Sequence, residues 1–152
     1  MKKKIKYLAV FIVSVIFLTG CGNNGVQSMT CTRTMNQNGI KTGLKYTVIY
    51  QGDYVTRVKS VETIETDSSE VLDAYQEQIE SIYSPYKGID YYEYDVSIDG
   101  DKLTSTVDIN YEKIDTDKLL EIDSANGQLI KDGKIKLSDI KSVYEAIGAV
   151  CE

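Results

Sequence analysis

The stretch YEYDVSIDGDKLTSTVDINY, residues 92–111, decides the fold. Tyr92, Tyr94, Val96 and Ile98 alternate with Glu93, Asp95, Ser97 and Asp99; after Asp99-Gly100 the apolar positions return at Leu103, Val107, Ile109 and Tyr111. Successive side chains of a strand point to opposite faces, and an Asp-Gly step between two such runs is a hairpin signal. A two-residue turn at Asp99-Gly100 sets Val96 opposite Leu103 and Tyr92 opposite Val107, which keeps the apolar residues of both strands on one face. That face needs a cover.

Working upstream, the run from Met29 to Asn36 alternates, with Met29, Cys31, Arg33 and Met35 on one side and Thr30, Thr32, Thr34 and Asn36 on the other. Asn38-Gly39 reads as a turn, and Leu44, Tyr46, Val48 and Tyr50 form a second strand that stops at Gly52-Asp53. The segment from Tyr54 to Glu65 spaces Val55, Val58, Val61 and Ile64 three apart and is read as a bulged strand. Asp67 and Glu70, at capping-box spacing, open an amphipathic helix that presents Val71, Leu72, Tyr75, Ile79, Ile82 and Tyr83 and ends before Pro85.

Downstream, Thr116 to Ile122 reads as a short helix, with loops around Asn126-Gly127 and Asp132-Gly133. Ser138 is expected as the N-cap of a last helix whose face is Ile140, Val143, Tyr144, Ile147, Val150 and Cys151. The order β-β-β-α-β-β-α predicts an α+β fold, an antiparallel sheet of about five strands with two main helices packed on one face.

The amino-terminal segment is of another kind. Lys2, Lys3, Lys4 and Lys6 precede an apolar run from Tyr7 to Leu18 interrupted by Ser14, and Leu18-Thr19-Gly20-Cys21 reads as a lipobox. The run suits a signal-peptide core and is shorter than the ~20 residues a membrane span needs. Residues 1–20 are thus expected to be a lipoprotein signal peptide, Cys21 the lipid-attachment residue of the mature chain, 21–28 the anchored terminus and flexible tether, and 29–152 one compact domain. A diacylglyceryl group on Cys21 implies a cell-membrane location on the extracytoplasmic face.

Removing the leader takes four lysines and no acids from a precursor of formal charge −6, so residues 21–152 carry −10. Such a surface repels phosphate backbones and anionic headgroups alike, which argues against nucleic acid as a partner and against the domain lying flat on the bilayer. Both phenylalanines, Phe11 and Phe17, lie in the leader and the chain has no tryptophan, so the domain core draws its aromatic rings from tyrosine alone.

With Cys21 consumed by lipid, Cys31 and Cys151 remain as an even pair in an oxidising compartment, and a disulfide between them is predicted. Two free, buried thiols are the alternative. No Cys-x-x-Cys spacing suggests redox chemistry.

Chemical motifs are few. Asp95-x-Ser97-x-Asp99-Gly100 resembles the first half of a calcium loop, but Thr106 stands where a bidentate Glu is needed. Ser138-Asp139-Ile140-Lys141 and Lys41-Thr42-Gly43 match two elements of penicillin-interacting serine enzymes, in reversed order and without the third element. The chain has no histidine, which excludes His-based triads and imidazole metal sites. Tyr91-Tyr92-Glu93-Tyr94-Asp95 is either a sugar- or peptide-contacting face or one strand with Tyr92 and Tyr94 inward. No catalytic residue, cofactor or metal ligand is assigned.

The lipobox leader, Tyr50-Gln51-Gly52-Asp53-Tyr54-Val55, Tyr86-Lys87-Gly88, Thr106-Val107-Asp108-Ile109 with Glu112-Lys113-Ile114-Asp115, and Ala146-Ile147-Gly148 together resemble the YehR-like family of small bacterial lipoproteins. The resemblance implies a lipoprotein carrying a compact α+β domain, with no catalytic residues to carry across. The expected function is a membrane-anchored binding or accessory module of the cell envelope, attached through lipid on Cys21 and facing an envelope protein or glycan. The alternatives are a carboxylate-based hydrolase acting on envelope material and a weak divalent-cation-binding module.

Overall fold

A computed structural model describes residues 25–152. The leader, Cys21 and the tether as far as Asn24 lie outside the described residues. Eight strands and three α-helices follow one another: β1 (Val26–Gln37), β2 (Ile40–Gln51), β3 (Tyr54–Glu65), α1 (Ser69–Tyr83), β4 (Tyr92–Asp99), β5 (Lys102–Asn110), α2 (Thr116–Ile122), β6 (Ile130–Lys131), β7 (Lys134–Lys136), α3 (Leu137–Ala146) and β8 (Val150–Cys151). The sheet is antiparallel in the order β4-β5-β3-β2-β1-β8, with β7 pairing the start of β3 and β6 pairing β7. The α+β class and the antiparallel sheet agree with the sequence; the three short strands β6, β7 and β8 are additional.

Local chemistry explains most joints. Asn38 and Gly39 both have positive φ, 53° and 79°, as a hairpin turn twisted to match its strands requires. Between β2 and β3 the register shifts at Ile49/Tyr50, so that Tyr50 pairs with Val55 and Ile49 with Arg57, leaving Thr56 as the extra residue. This bulge turns Val55 and Val58, three apart, to the same buried side, while Val61 falls on the open face.

Several expectations need correction. The β4–β5 turn is Gly100-Asp101, closed by Asp99 opposite Lys102, so Ile98 faces Leu103 and Val96 faces Ser105. The offset is two residues, which preserves the buried face, and Gly100 supplies the positive φ (57°) at the first central position. Ser68, not Asp67, caps α1 by accepting the Val71 N–H, and Ile82 points to solvent. Lys136 occupies the N-cap of α3 with no side-chain bond, and Ser138 lies inside the helix.

Cys151 is on a strand, not on the last helix. Gly148, at φ 86°, ends α3 in a Schellman motif: its N–H donates to Glu145 C=O while the Ala149 N–H donates to Tyr144 C=O. The chain then reverses into β8. Val143, Ile147 and Val150, expected on the buried face, are exposed.

Both hydrophobic clusters lie on one face of the sheet. One cluster gathers Met29, Cys31, Val48, Val55 and Val58 under Ile140 and Tyr144 of α3, with Tyr46 stacked on Tyr144 at a ring separation of 4.0 Å. A second joins Ile64 and Leu103 to Leu72 and Ile79 of α1. Burying each such side chain contributes roughly 1.5–3 kcal/mol. The opposite face is open and carries a mosaic of ion pairs, including a bidentate Arg57–Asp108 pair at 2.7 and 2.8 Å and Lys41–Glu65 at 3.0 Å. Exposed pairs of this kind contribute little to stability.

Candidate functional site

The two clusters meet along one cross-sheet row, Arg33–Leu44–Glu62–Ser105–Val96, set by the strand register. Glu62 stands half-buried in this row, and desolvation raises its carboxyl above the usual range. Its charge acts on Tyr46 and on Tyr83, whose phenols are raised first by burial and then by Glu62. No second carboxylate contributes to the shift of Glu62.

Around this row lies a tyrosine wall. Tyr86 stacks on Tyr92 at 4.8 Å, and Tyr83 tilts against Tyr94 at 6.0 Å. Burial, followed by Tyr86, pushes Tyr111 up to about 12, and burial also raises Tyr92 and Tyr144. These rings do the work that Phe and Trp do in most cores, with hydroxyls kept neutral.

The tyrosine wall ends at a sheet edge. β4 pairs with β5 on one side only and terminates the main path of the sheet. The Asn110 N–H donates to Tyr91 C=O at 3.0 Å, which sets the phase of the ladder: odd-numbered residues face β5, and the backbone groups of Tyr94, Val96 and Ile98 point out of the free edge. Beside that edge runs a groove of about 540 Å³ lined by Glu80 of α1, Lys87, Gly88 and the β4 residues Tyr92 to Val96. Glu93, Asp95 and Asp99 project from β4 on the open side. The strand reading of the Tyr91–Asp95 segment therefore holds, and the same strand carries a groove.

The remaining motif residues are dispersed. Asp95, Ser97 and Asp99 occupy alternate positions of an extended strand, about 6.5–7 Å apart, too far to wrap one cation. Among the described residues no group of three or more Asp, Glu, Cys or His side chains converges on a metal position. Lys41 pairs with Glu65 beside the Asn38-Gly39 turn, whereas Ser138 follows Leu137, whose N–H donates to Asp53 C=O at the other end of the sheet.

The structure does bring Cys31 and Cys151 together. β8 pairs with the outer side of β1, Thr30 and Glu152 exchange two backbone bonds of 2.9 Å, and Cys31 sits opposite Cys151 with the sulfurs 1.99 Å apart. Cys21 lies outside the described residues.

Comparison with known proteins adds the family. Residues 29–148 match the model of the family described as "Protein of unknown function (DUF1307)". The chain belongs to this family. A relative is the "Uncharacterized lipoprotein Lmo0207" of Listeria monocytogenes, 30% identical over 135 residues, covering 86% of this chain and 84% of that protein. Two solved structures share the fold: the YehR protein of E. coli, with a TM-score of 0.55, 21% identity and coverage of 84% of this chain and 92% of that one, and a protein from Streptococcus pneumoniae TIGR4, with a TM-score of 0.53, 13% identity and coverage of 100% and 97%. The YehR-like resemblance read from the motifs is thereby shown, and the lipoprotein relative supports membrane anchoring through lipid.

Proposed function

We propose that this chain is a lipid-anchored, extracytoplasmic binding module of the bacterial cell envelope, without catalysis, that takes an extended segment of an envelope protein along the free edge of β4. The free edge beside a groove carries the reading: outward backbone groups at Tyr94, Val96 and Ile98 offer a strand-shaped ligand its hydrogen bonds, while the groove receives alternate side chains. Glu80, Glu93, Asp95 and Asp99 favour a segment bearing Lys or Arg, with Lys87 the one opposing charge among the groove-lining residues. The same acids oppose edge-to-edge pairing of two copies of this chain, because their rows of like charge would meet. Lipid on Cys21 and a Cys31–Cys151 disulfide belong to the same reading, since an extracytoplasmic module is both anchored and oxidised.

The test places a photo-crosslinking residue at Ser97 in intact cells. The expected result is a discrete crosslinked partner, lost in Val96→Pro, which removes an outward N–H without touching the β5 ladder, and lost in Glu93→Lys/Asp95→Lys. A crosslinking yield unchanged by both variants, or no capture above background, overturns the groove as the binding site.

A further inference from the structure

The end of the sheet nearest the tether has a surface unlike the rest of the domain. β1, β3 and β4 run in the same direction, so Val26, Tyr54 and the residue preceding β4, Tyr91, mark one common end. All three are exposed, at 69, 42 and 50%. Each of the two tyrosines carries a lysine over its ring, Lys134 at 5.2 Å from the centroid of Tyr54 and Lys113 at 5.5 Å from that of Tyr91. Lys136, paired with Tyr54, adds a further positive charge, and Asp53, Asp90, Glu112 and Asp132 are acids in the adjoining turns.

The opposite end is acidic. Asp67 and Glu70 at the start of α1, together with Asp99 and Asp101 at the β4–β5 turn, gather there. Lys113, Lys134 and Lys136 thus stand at the end where the tether leaves, while the lysines at the opposite end, Lys41 and Lys102, are both paired with Glu65. Amphipathic tyrosines beside lysines are the side chains that settle at the headgroup level of a bilayer.

The tether sets the distance. β1 starts at Val26, three residues earlier than the alternation suggested, so five Cα steps separate it from Cys21, at most about 18 Å fully extended. Sheet spacing spreads Val26, Tyr54 and Tyr91 over about 19 Å across the five main strands.

We infer that this end of the domain, with Val26, Tyr54, Tyr91, Lys113, Lys134 and Lys136, rests on the headgroups of the chain's own membrane, standing the strands upright and holding the acidic end away from the lipid. The inference rests on lipid attachment at Cys21, but not on what the groove binds.

The absence of tryptophan makes the test direct, because a single introduced indole reports alone. The lipidated chain carrying Tyr54→Trp, Tyr91→Trp or, at the far end, Met35→Trp is reconstituted into phosphatidylcholine vesicles containing about one third phosphatidylglycerol, with or without brominated acyl chains. Folding of each variant is checked by circular dichroism, and two independent positions at the tether end guard against failure of one. The expected result is roughly twofold quenching and a blue-shifted emission for Tyr54→Trp and Tyr91→Trp, with neither for Met35→Trp. Membrane-bound protein whose three indoles are quenched alike, or not at all, overturns the docking alone. A chain that fails to partition with the vesicles overturns the anchoring and the docking together.

Discussion

Replacing both Cys31 and Cys151 with Ala tests how far this small domain depends on one crosslink. The sequence separation is 120, so the bridge closes nearly the whole described chain. The loop-entropy relation gives about 16 cal/mol/K for a loop of that length, or about 4.9 kcal/mol at 25 °C, of which natural bridges commonly deliver 2–4. Two local facts bear on the fraction realised. Cys31 is fully buried in the cluster beneath α3, so its loss is felt by the core, and β8 is only two residues long, held otherwise by the Thr30–Glu152 bond pair. Against a total stability of about 5–15 kcal/mol, a loss of about 2–5 kcal/mol lowers the unfolding midpoint by roughly 10–20 °C. Thermal unfolding followed by circular dichroism, with and without reductant, reads this directly: reduced wild type should unfold with the double variant, and oxidised wild type far above both. Two titratable thiols in the untreated folded protein refute the bridge. A bridged protein whose midpoint falls by less than about 3 °C in the double variant refutes the loop argument.

Three further outcomes follow from other parts of the sheet. A Cβ added at Gly43 would lie 2.7 Å from Thr63 Oγ1, directly across the β2–β3 ladder, so Gly43→Ala should destabilise by about 1–3 kcal/mol in urea unfolding and Thr63→Ala should relieve most of the loss. Equal losses in both backgrounds contradict the clash. Burial raises the Glu62 carboxyl in the folded chain, so its contribution to stability is fully present below the unfolded value near 4.3 and is lost as pH rises through the folded one. Glu62→Gln should therefore be more stable than wild type at pH 7, with the advantage vanishing on acidification below about pH 4; urea midpoints that differ by a constant amount across pH contradict this. Burial pushes Tyr111 up to about 12 and also raises Tyr92 and Tyr144, so the stability they confer is intact below the ordinary phenol value near 10 and is lost on the way to about 12. Tyrosinate absorbance of this buried set should rise together with alkaline unfolding, and a rise completed while the circular dichroism is still native contradicts it.

The sheet was legible because alternation reports faces, and faces are what a half-buried strand conserves as it forms. The Asn38-Gly39 turn, the bulge after Tyr54 and the short helix Thr116–Ile122 all follow from local chemistry. The two-residue offset at Gly100-Asp101 escaped because both registers bury the same side chains, so burial cannot choose between them. Val143, Ile147, Val150 and Cys151 keep helical spacing in the sequence beyond Gly148, where the left-handed cap has already reversed the chain, so the spacing alone puts Cys151 on a helix. Ser68 displaced Asp67 as cap by a single position, within the tolerance of helix ends.

The candidate groove was only half visible. The Tyr91–Asp95 segment stood out for its composition, but a strand's own residues do not say whether it lies at an edge; that depends on β5 pairing with β3 across an intervening helix. The lysine-tyrosine end has no linear signature either, since Tyr54, Tyr91, Lys113 and Lys134 are brought to one level by three strands that share a direction.

Everything about where this domain works depends on chemistry at Cys21, and intact-mass analysis of the native protein extracted from membranes tests it most directly. The account predicts a chain beginning at Cys21, without residues 1–20, and heavier than its amino-acid sequence by a thioether-linked diacylglyceryl group. A chain that retains Met1–Gly20, or whose amino-terminal cysteine carries a free thiol, contradicts it.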